Sequence, residues 1–162
     1  MQNPNIYSEI TDLAKTYDEL NRILAEVDIL SASCFESSQD SFEVSLDSKV
    51  RNSTSEAIKH LLDNYGLDKQ NLLAEIKKTL LVLSVLKLTL PFEPNKPFLD
   101  RIYAWVKDNL PGSYVLAINY DPAIIGGVVV SIEGKYLDCS LRKQFEENFK
   151  KITLGEYLTK TS

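Results

Sequence analysis

The residue types that most often perform catalysis are few in this chain, and their spacing forms no known catalytic arrangement. His60 is the only histidine among the 162 residues, and it lies beside leucines on a short predicted helix. Cys34 and Cys139 have no histidine nearby in the sequence, so neither thiol has an evident base to activate it as a nucleophile. The ligand spacing of a zinc site is also missing. We therefore predict no enzyme, no metal site and no cofactor.

Two further features suggest chemistry but have simpler structural explanations. Gly126 and Gly127 are adjacent, yet no Gly-Lys-Ser/Thr follows them, as a phosphate-binding loop requires. Such a pair in a strand more often marks a bulge or a close approach of two backbones. Asp121 and Asp138 could form a carboxylate pair, but Asp138 precedes a predicted helix and suits its N-cap. A small ligand-binding domain that uses the Gly126-Gly127 backbone stays open as an alternative.

Composition and charge exclude several classes of protein. The chain is 44% hydrophobic and 25% charged with a formal net charge of −5, values typical of a globular protein. Residues 1–47 contain 2 basic and 10 acidic residues, which makes nucleic acid an unfavourable partner. No apolar run reaches the roughly 18 residues of a membrane helix, and the N-terminus lacks the features of a secretory signal. We therefore expect a cytoplasmic chain.

Glycine and proline divide the chain into two parts. The first 90 residues contain one of each, whereas residues 91–134 contain five prolines and four glycines. Long uninterrupted segments favour helices, and frequent interruption favours strands and turns. We therefore predict an α+β fold, with a helical N-terminal region over residues 1–80. A C-terminal domain over residues 81–162 should contain a small mixed β-sheet with packed helices.

The first predicted helix is long, spans residues 6–30 and carries a regular apolar stripe. Its apolar residues recur at alternating spacings of four and three, the pattern of a helix that packs along another helix. Two interpretations stay open: the stripe packs inside the chain's own bundle, or it docks on a partner helix. The candidate docking face consists of Ile6, Ile10, Leu13, Tyr17, Leu20, Leu24 and Val27.

The rest of the N-terminal region is predicted to be a loop and two shorter helices. Serine-rich residues 31–52 should form the loop, because serine hydroxyls compete with the hydrogen bonds of a helix. Ser53 and Glu56 have the spacing of a capping box for the next helix. That helix should end at Gly66 in a left-handed cap, and Asp68 can cap the helix that follows.

The C-terminal domain is predicted to combine strands and helices. Alternating apolar residues indicate strands that bury one face. Asn95 can cap a helix, and Glu133-Gly134 has the composition of a two-residue hairpin turn in which glycine supplies the positive φ. The predicted elements are strand 82–90, helix 95–110 with Phe98, Ile102, Leu110 and either Trp105 or Val106 on one face, strand 114–120, strand 124–132, strand 135–137, and a last helix after Asp138 with Leu141, Phe145, Phe149 and Ile152 facing inward.

An ordered motif lies in residues 121–142. It consists of Asp121, Pro122, Ile125, Gly126, Gly127, Gly134, Asp138, Ser140 and Arg142. The motif resembles the C-terminal signature of the delta subunit of bacterial F-type ATP synthases, the counterpart of the mitochondrial oligomycin-sensitivity-conferring protein. The order and length of the preceding strand, helix and strand are also similar to those of that family's C-terminal domain.

The resemblance implies a non-catalytic subunit of the peripheral stalk, which is the stator that supports proton-driven ATP synthesis. In that family the C-terminal domain contacts the C-terminal ends of the b subunits, and an N-terminal helical bundle contacts the alpha subunits of the catalytic head. The resemblance implies no cofactor. It also implies that the chain meets the membrane only indirectly, as a peripheral part of the complex at the cytoplasmic face of the plasma membrane.

The sequence departs from that family's pattern in two places. Only three helices are predicted for residues 1–80, so the usual six-helix bundle should be reduced. Cys139 stands where the family often has glycine, and its small thiol should pack as a weak hydrophobe. An E-type or flagellar-type stalk protein of a rotary ATPase or export apparatus also ends in a strand-rich domain. Such proteins usually have a much longer N-terminal helix, which makes this alternative the weaker one.

Overall fold

The computed structural model describes residues 6–35 and 41–141. Six helices and four strands lie within these residues, five of the helices before the first strand, which confirms the predicted α+β class. The elements are α1 (Ser8–Leu13), α2 (Tyr17–Ser33), α3 (Ser41–Ser48), α4 (Asn52–Tyr65), α5 (Lys69–Leu81), β1 (Ser84–Leu90), α6 (Lys96–Asn109), β2 (Tyr114–Tyr120), β3 (Val129–Ile132) and β4 (Lys135–Asp138).

The chain forms two compact units. The first comprises Met1–Ser84 and Val106–Val115, and the second comprises Val85–Trp105 and Leu116–Ser162. Helices α1 to α5 therefore belong to the first unit, whereas β3, β4 and most of β1 and β2 belong to the second.

The long helix predicted over residues 6–30 is wrong, because the chain forms two helices there, α1 and α2. The break is set by a capping box at Thr16, which has an extended backbone. The Thr16 hydroxyl accepts a hydrogen bond from the Glu19 N–H at 3.2 Å, and the Glu19 carboxylate accepts one from the Thr16 N–H at 3.0 Å. These bonds satisfy amides that have no partner within the helix, so a new helix begins although the apolar spacing continues.

Replacing this cap should weaken the first unit measurably. We expect Thr16→Ala to lower the free energy of unfolding by about 1 kcal/mol, because an amide of α2 loses its partner. Thr79→Ala is the matched control, since the Thr79 hydroxyl only bonds a carbonyl within α5 and alanine favours a helix interior. Urea unfolding followed by helical circular dichroism compares the two variants. Equal midpoints would contradict the capping role of Thr16.

The serine-rich loop predicted over residues 31–52 is also wrong in part, because it contains the end of α2 and the whole of α3. Phe42 and Leu46 lie four residues apart on one face of α3, and both are buried. Burial of two large apolar side chains outweighs the weak helix preference of serine. With α3 and the break at Thr16, five helices precede the sheet where the sequence predicted three.

The ends of α4 and α5 mostly follow the predictions. Gly66 ends α4 with φ 56°, and the Asp68 side chain accepts a hydrogen bond from an amide of the first turn of α5 at 3.2 Å. The capping box predicted at Ser53 is wrong, because α4 already begins at Asn52. The residue before it, Arg51, has an extended backbone and forms no side-chain cap.

The core of the first unit is mainly apolar, and its large, fully buried side chains include Ile10, Ile23, Leu30, Ile58, Leu61, Leu72, Leu73, Ile76 and Leu80.

A charged network adjoins this core at the junction of α2 and α4. Glu26 is only 8% exposed, and its carboxylate accepts hydrogen bonds from Arg51 Nε at 2.7 Å and from the Thr54 hydroxyl at 2.7 Å. Burial by itself would raise the pKa of the Glu26 carboxyl, but these hydrogen bonds outweigh burial and hold the pKa below its ordinary value.

The sheet has the strand order β2-β1-β3-β4. The first residues of β1 and β2 lie together, because the Ser84 N–H donates to the Ser113 carbonyl. Their last residues also lie together, because the Asp121 N–H donates to the Leu90 carbonyl. These two strands therefore run in the same direction, joined by α6. Strand β3 pairs antiparallel with both β1 and β4, which makes the sheet mixed.

Several predicted features of the second unit are confirmed. Helix α6 begins after Asn95, whose side chain accepts a hydrogen bond from the Phe98 N–H at 3.0 Å. The β3–β4 hairpin turns at Glu133 and Gly134, with φ of 47° and 78°. The strand predicted over 124–132 is too long, because β3 begins only at Val129. Of the residues predicted to face inward on the last helix the structure describes only Leu141, and residues 142–152 lie outside the described residues.

Candidate functional site

The predicted docking stripe lies on two helices rather than one, and its residues differ widely in exposure. Ile10, Leu20 and Val27 are buried, Leu13 and Leu24 are half-buried, and Ile6 and Tyr17 are exposed. The three buried residues pack in the core of the first unit. Ile6 and Tyr17 are the stripe residues that remain accessible to a partner.

The first part of the motif forms a tight loop between β2 and β3. The Asp121 carboxylate accepts a hydrogen bond from the Ala123 N–H at 2.9 Å, and the Asp121 backbone carbonyl accepts one from the Ile124 N–H at 3.2 Å. Pro122 follows Asp121, at a position where a fixed φ favours a turn. The Asp121 side chain therefore stabilises its own backbone turn, a role that suits an aspartate.

The glycine pair brings this loop against the segment that follows β4. Gly126 and Gly127 have φ of 67° and 78°. A Cβ on Gly127 would overlap the Cys139 carbonyl oxygen and lie 2.9 Å from the Ser140 Cα, and one on Gly126 would lie 2.7 Å from Leu141 Cδ1. The close backbone approach expected at these glycines is present, but it occurs in a loop rather than in a strand.

The segment after β4 supplies the other side of this contact. The Asp138 carboxylate accepts a hydrogen bond from the Ser140 N–H at 2.8 Å, and Ser140 is buried. The Cys139 N–H donates to the Val128 carbonyl at 2.9 Å. The Leu141 N–H also donates to the Gly126 carbonyl at 3.3 Å, so the amides of Cys139 and Leu141 attach this segment to the loop that carries the glycines, while Asp138 fixes the local turn. These bonds hold two backbone segments together, so closely that Gly127 has no room for a Cβ.

The remaining motif residues lie at the surface or outside the described residues. Ile125 is exposed beside the glycine pair, and Gly134 forms the hairpin turn with open space around it. Arg142 is not among the described residues. The pairing of Arg142 with Asp138, which the one-turn spacing predicts, stays a prediction.

The surroundings of His60 and Cys34 favour structural roles for both residues. His60 Nδ1 lies 2.8 Å from a Glu9 carboxylate oxygen, and this half-exposed pair joins α4 to α1. Burial raises the pKa of the Cys34 thiol, which disfavours the thiolate that a nucleophile needs. Within residues 6–35 and 41–141, no group of three His, Cys, Asp or Glu side chains is placed to bind a metal ion.

An apolar hollow on α6 is a surface feature that the sequence did not predict. It is open to solvent, has a volume of about 260 Å³ and is lined by Phe98, Arg101, Ile102 and Trp105. The spacing of these residues suggested an inward face with either Trp105 or Val106. The structure buries Val106 and leaves Trp105 59% exposed, so the hollow faces solvent. An exposed tryptophan in a hollow is typical of a protein-binding surface.

Comparison with known proteins extends the likeness well beyond the motif. A family model described as "ATP synthase delta (OSCP) subunit" matches residues 5–152, which include helices of the first unit as well as the sheet of the second. No curated protein gives a significant match. For the part of the chain that the structure describes, the helices are too short or too polar to cross a bilayer.

Proposed function

We propose that this chain, which belongs to the ATP synthase delta (OSCP) family, joins the b subunits of the peripheral stalk to the alpha subunits of the catalytic head. Membership implies a structural, non-catalytic subunit of the peripheral stalk, in a complex that synthesises ATP. The observation that carries the proposal is the family match over residues 5–152, which covers helical and sheet regions alike.

A stator subunit has to keep its shape while the rotor turns, and the motif suits that requirement. The contact of Gly127 with Cys139 and the turns at Asp121 and Asp138 are short-range and closely packed. In the proposed arrangement the second unit binds the C-terminal ends of the b subunits and helices α1 to α5 bind the alpha subunits. The chain then sits peripherally at the cytoplasmic face of the plasma membrane and supports proton transport without carrying protons.

The rival ligand-binding function loses its main support. It required an accessible backbone at Gly126 and Gly127, but Cys139 and Ser140 occupy the space beside Gly127. Nucleotides and phosphate should therefore leave the thermal midpoint of the chain unchanged. A family match to a delta subunit also favours this assignment over an E-type or flagellar-type stalk protein.

Binding of stalk and head peptides tests the proposed function directly. We expect the folded chain to bind a peptide from the C-terminal helix of the b protein (the b peptide) at micromolar concentration, because the second unit exposes apolar side chains. A peptide from the N-terminal helix of the alpha protein should bind separately, without competition. Calorimetric titration measures both, with scrambled peptides as controls. Absence of b-peptide binding to a sample that unfolds cooperatively would contradict the proposal.

A further inference from the structure

We infer that the hollow on α6 binds an amphipathic helix of the partner, and that Arg101 selects a helix with a carboxylate at the contact. This inference rests on the proposed function, since a stalk protein would provide the helix. It adds the face of the second unit that is used and the chemistry that the partner must carry. Phe98, Ile102 and Trp105 supply the apolar part of the contact.

The residues that line the hollow lie along one face of the helix. Positions 98, 101, 102 and 105 follow the spacing i, i+3, i+4 and i+7, which places all four on the same face of α6. At 1.5 Å per residue the hollow extends about 10 Å along α6, which matches two turns of a partner helix. A helix that lays an apolar face of this spacing into a hollow is a common mode of recognition.

Charge determines which helix fits best. The Arg101 guanidinium lies 6.0 Å from the centre of the Phe98 ring, at the border of the apolar surface, and Arg101 is exposed. Within the described residues, Arg101 forms no ion pair, whereas Lys59 and Lys107 each contact an aspartate. A guanidinium beside an apolar surface favours a carboxylate, which it can bind through two parallel hydrogen bonds.

The chain contains a built-in probe for this site, because Trp105 is its only tryptophan. We expect the b peptide to shift Trp105 emission to shorter wavelength and to protect it from iodide quenching. If calorimetry shows that the peptide binds while Trp105 emission and quenching stay unchanged, the site on α6 is wrong and the stator function stands. If a folded sample binds no b peptide, both the site and the proposed function are contradicted.

Charge reversal tests the role of Arg101 separately from that of the apolar residues in the hollow. Arg101→Glu should weaken peptide binding roughly tenfold. Arg101→Lys should cause a smaller loss, because lysine keeps the positive charge but cannot form two parallel hydrogen bonds to the carboxylate. Lys96→Glu is the matched control, because it makes the same charge change on the opposite side of α6, away from the hollow. Exchanging the carboxylate of the peptide for lysine should restore binding to Arg101→Glu. Equal losses in Arg101→Glu and Lys96→Glu, or no rescue, would overturn the selective role of Arg101.

Discussion

Gly127→Ala should lower the free energy of unfolding of the second unit by about 3 kcal/mol or more, whereas Gly134→Ala should lower it by only about 1 kcal/mol. Both glycines have φ of 78°, a left-handed backbone that strains an alanine at either position. The space around them differs, because a Cβ at Gly127 meets Cys139 and Ser140 while nothing lies within 4 Å at Gly134. Gly127→Val should be more damaging still, since its side chain is larger.

Hydrogen exchange measures this difference without interference from the first unit. Peptides that cover β3 and β4 should exchange faster in Gly127→Ala than in Gly134→Ala at low urea concentration. Peptides from α4 and α5 should exchange at the same rate in both variants, which is the internal control. If β3 and β4 are protected equally in both variants, steric contact at Gly127 is not what the motif preserves.

Glu26→Ala should lower the free energy of unfolding of the first unit by about 3 kcal/mol at neutral pH. The substitution leaves the buried Thr54 hydroxyl without its acceptor and takes from Arg51 both side-chain contacts and a backbone contact. Glu43→Gln is the control, because Glu43 pairs with Lys69 at the surface and such a pair contributes less than about 1 kcal/mol. Urea unfolding followed by helical circular dichroism compares the variants.

The pH dependence of this effect follows from the direction of the pKa shift. The folded-state pKa of Glu26 lies below its ordinary value, so the carboxylate stabilises the fold fully above the unfolded-state pKa of about 4.3. The stabilisation is lost as the pH falls through the folded-state pKa. The difference between wild type and Glu26→Ala should therefore shrink in acid. A difference that grows as the pH falls would contradict this assignment.

Local chemistry allowed much of the second unit to be predicted from the sequence. Asn95, Gly134 and the residues of β2 act through short-range rules of capping, turn geometry and strand alternation, and the structure places them as expected. Strand 124–132 was too long because β propensity alone gives no indication that Gly126 and Gly127 have positive φ. Gly127 lies directly against Cys139, which comes twelve residues later in the sequence, so the sequence around the glycines does not reveal this contact.

The first unit was harder to predict, because periodicity hid a local capping signal and because one of its helices depends on tertiary packing. Apolar spacing continues without change across Thr16, so periodicity indicated one helix where the capping box makes two. Helix α3 is rich in serine, and its stability comes from burial of Phe42 and Leu46, which sequence spacing did not reveal. The hollow on α6 was missed for a similar reason. Spacing indicates which residues share a face, but only the packed fold shows whether that face is covered.

The strand order has a consequence for how the second unit folds during synthesis. Strand β1 pairs with β3, with Leu86 opposite Ile132 and Thr89 opposite Val129, so roughly 40 residues must close into a loop first. That closure costs roughly 3 kcal/mol of chain entropy, whereas the β3–β4 hairpin closes over two residues. A ribosome-bound chain therefore exposes one edge of β1 until the hairpin has emerged. Until then, the hydrogen-bonding groups along that edge are available to other nascent chains, and the hairpin acts as the chain's own protection against aggregation.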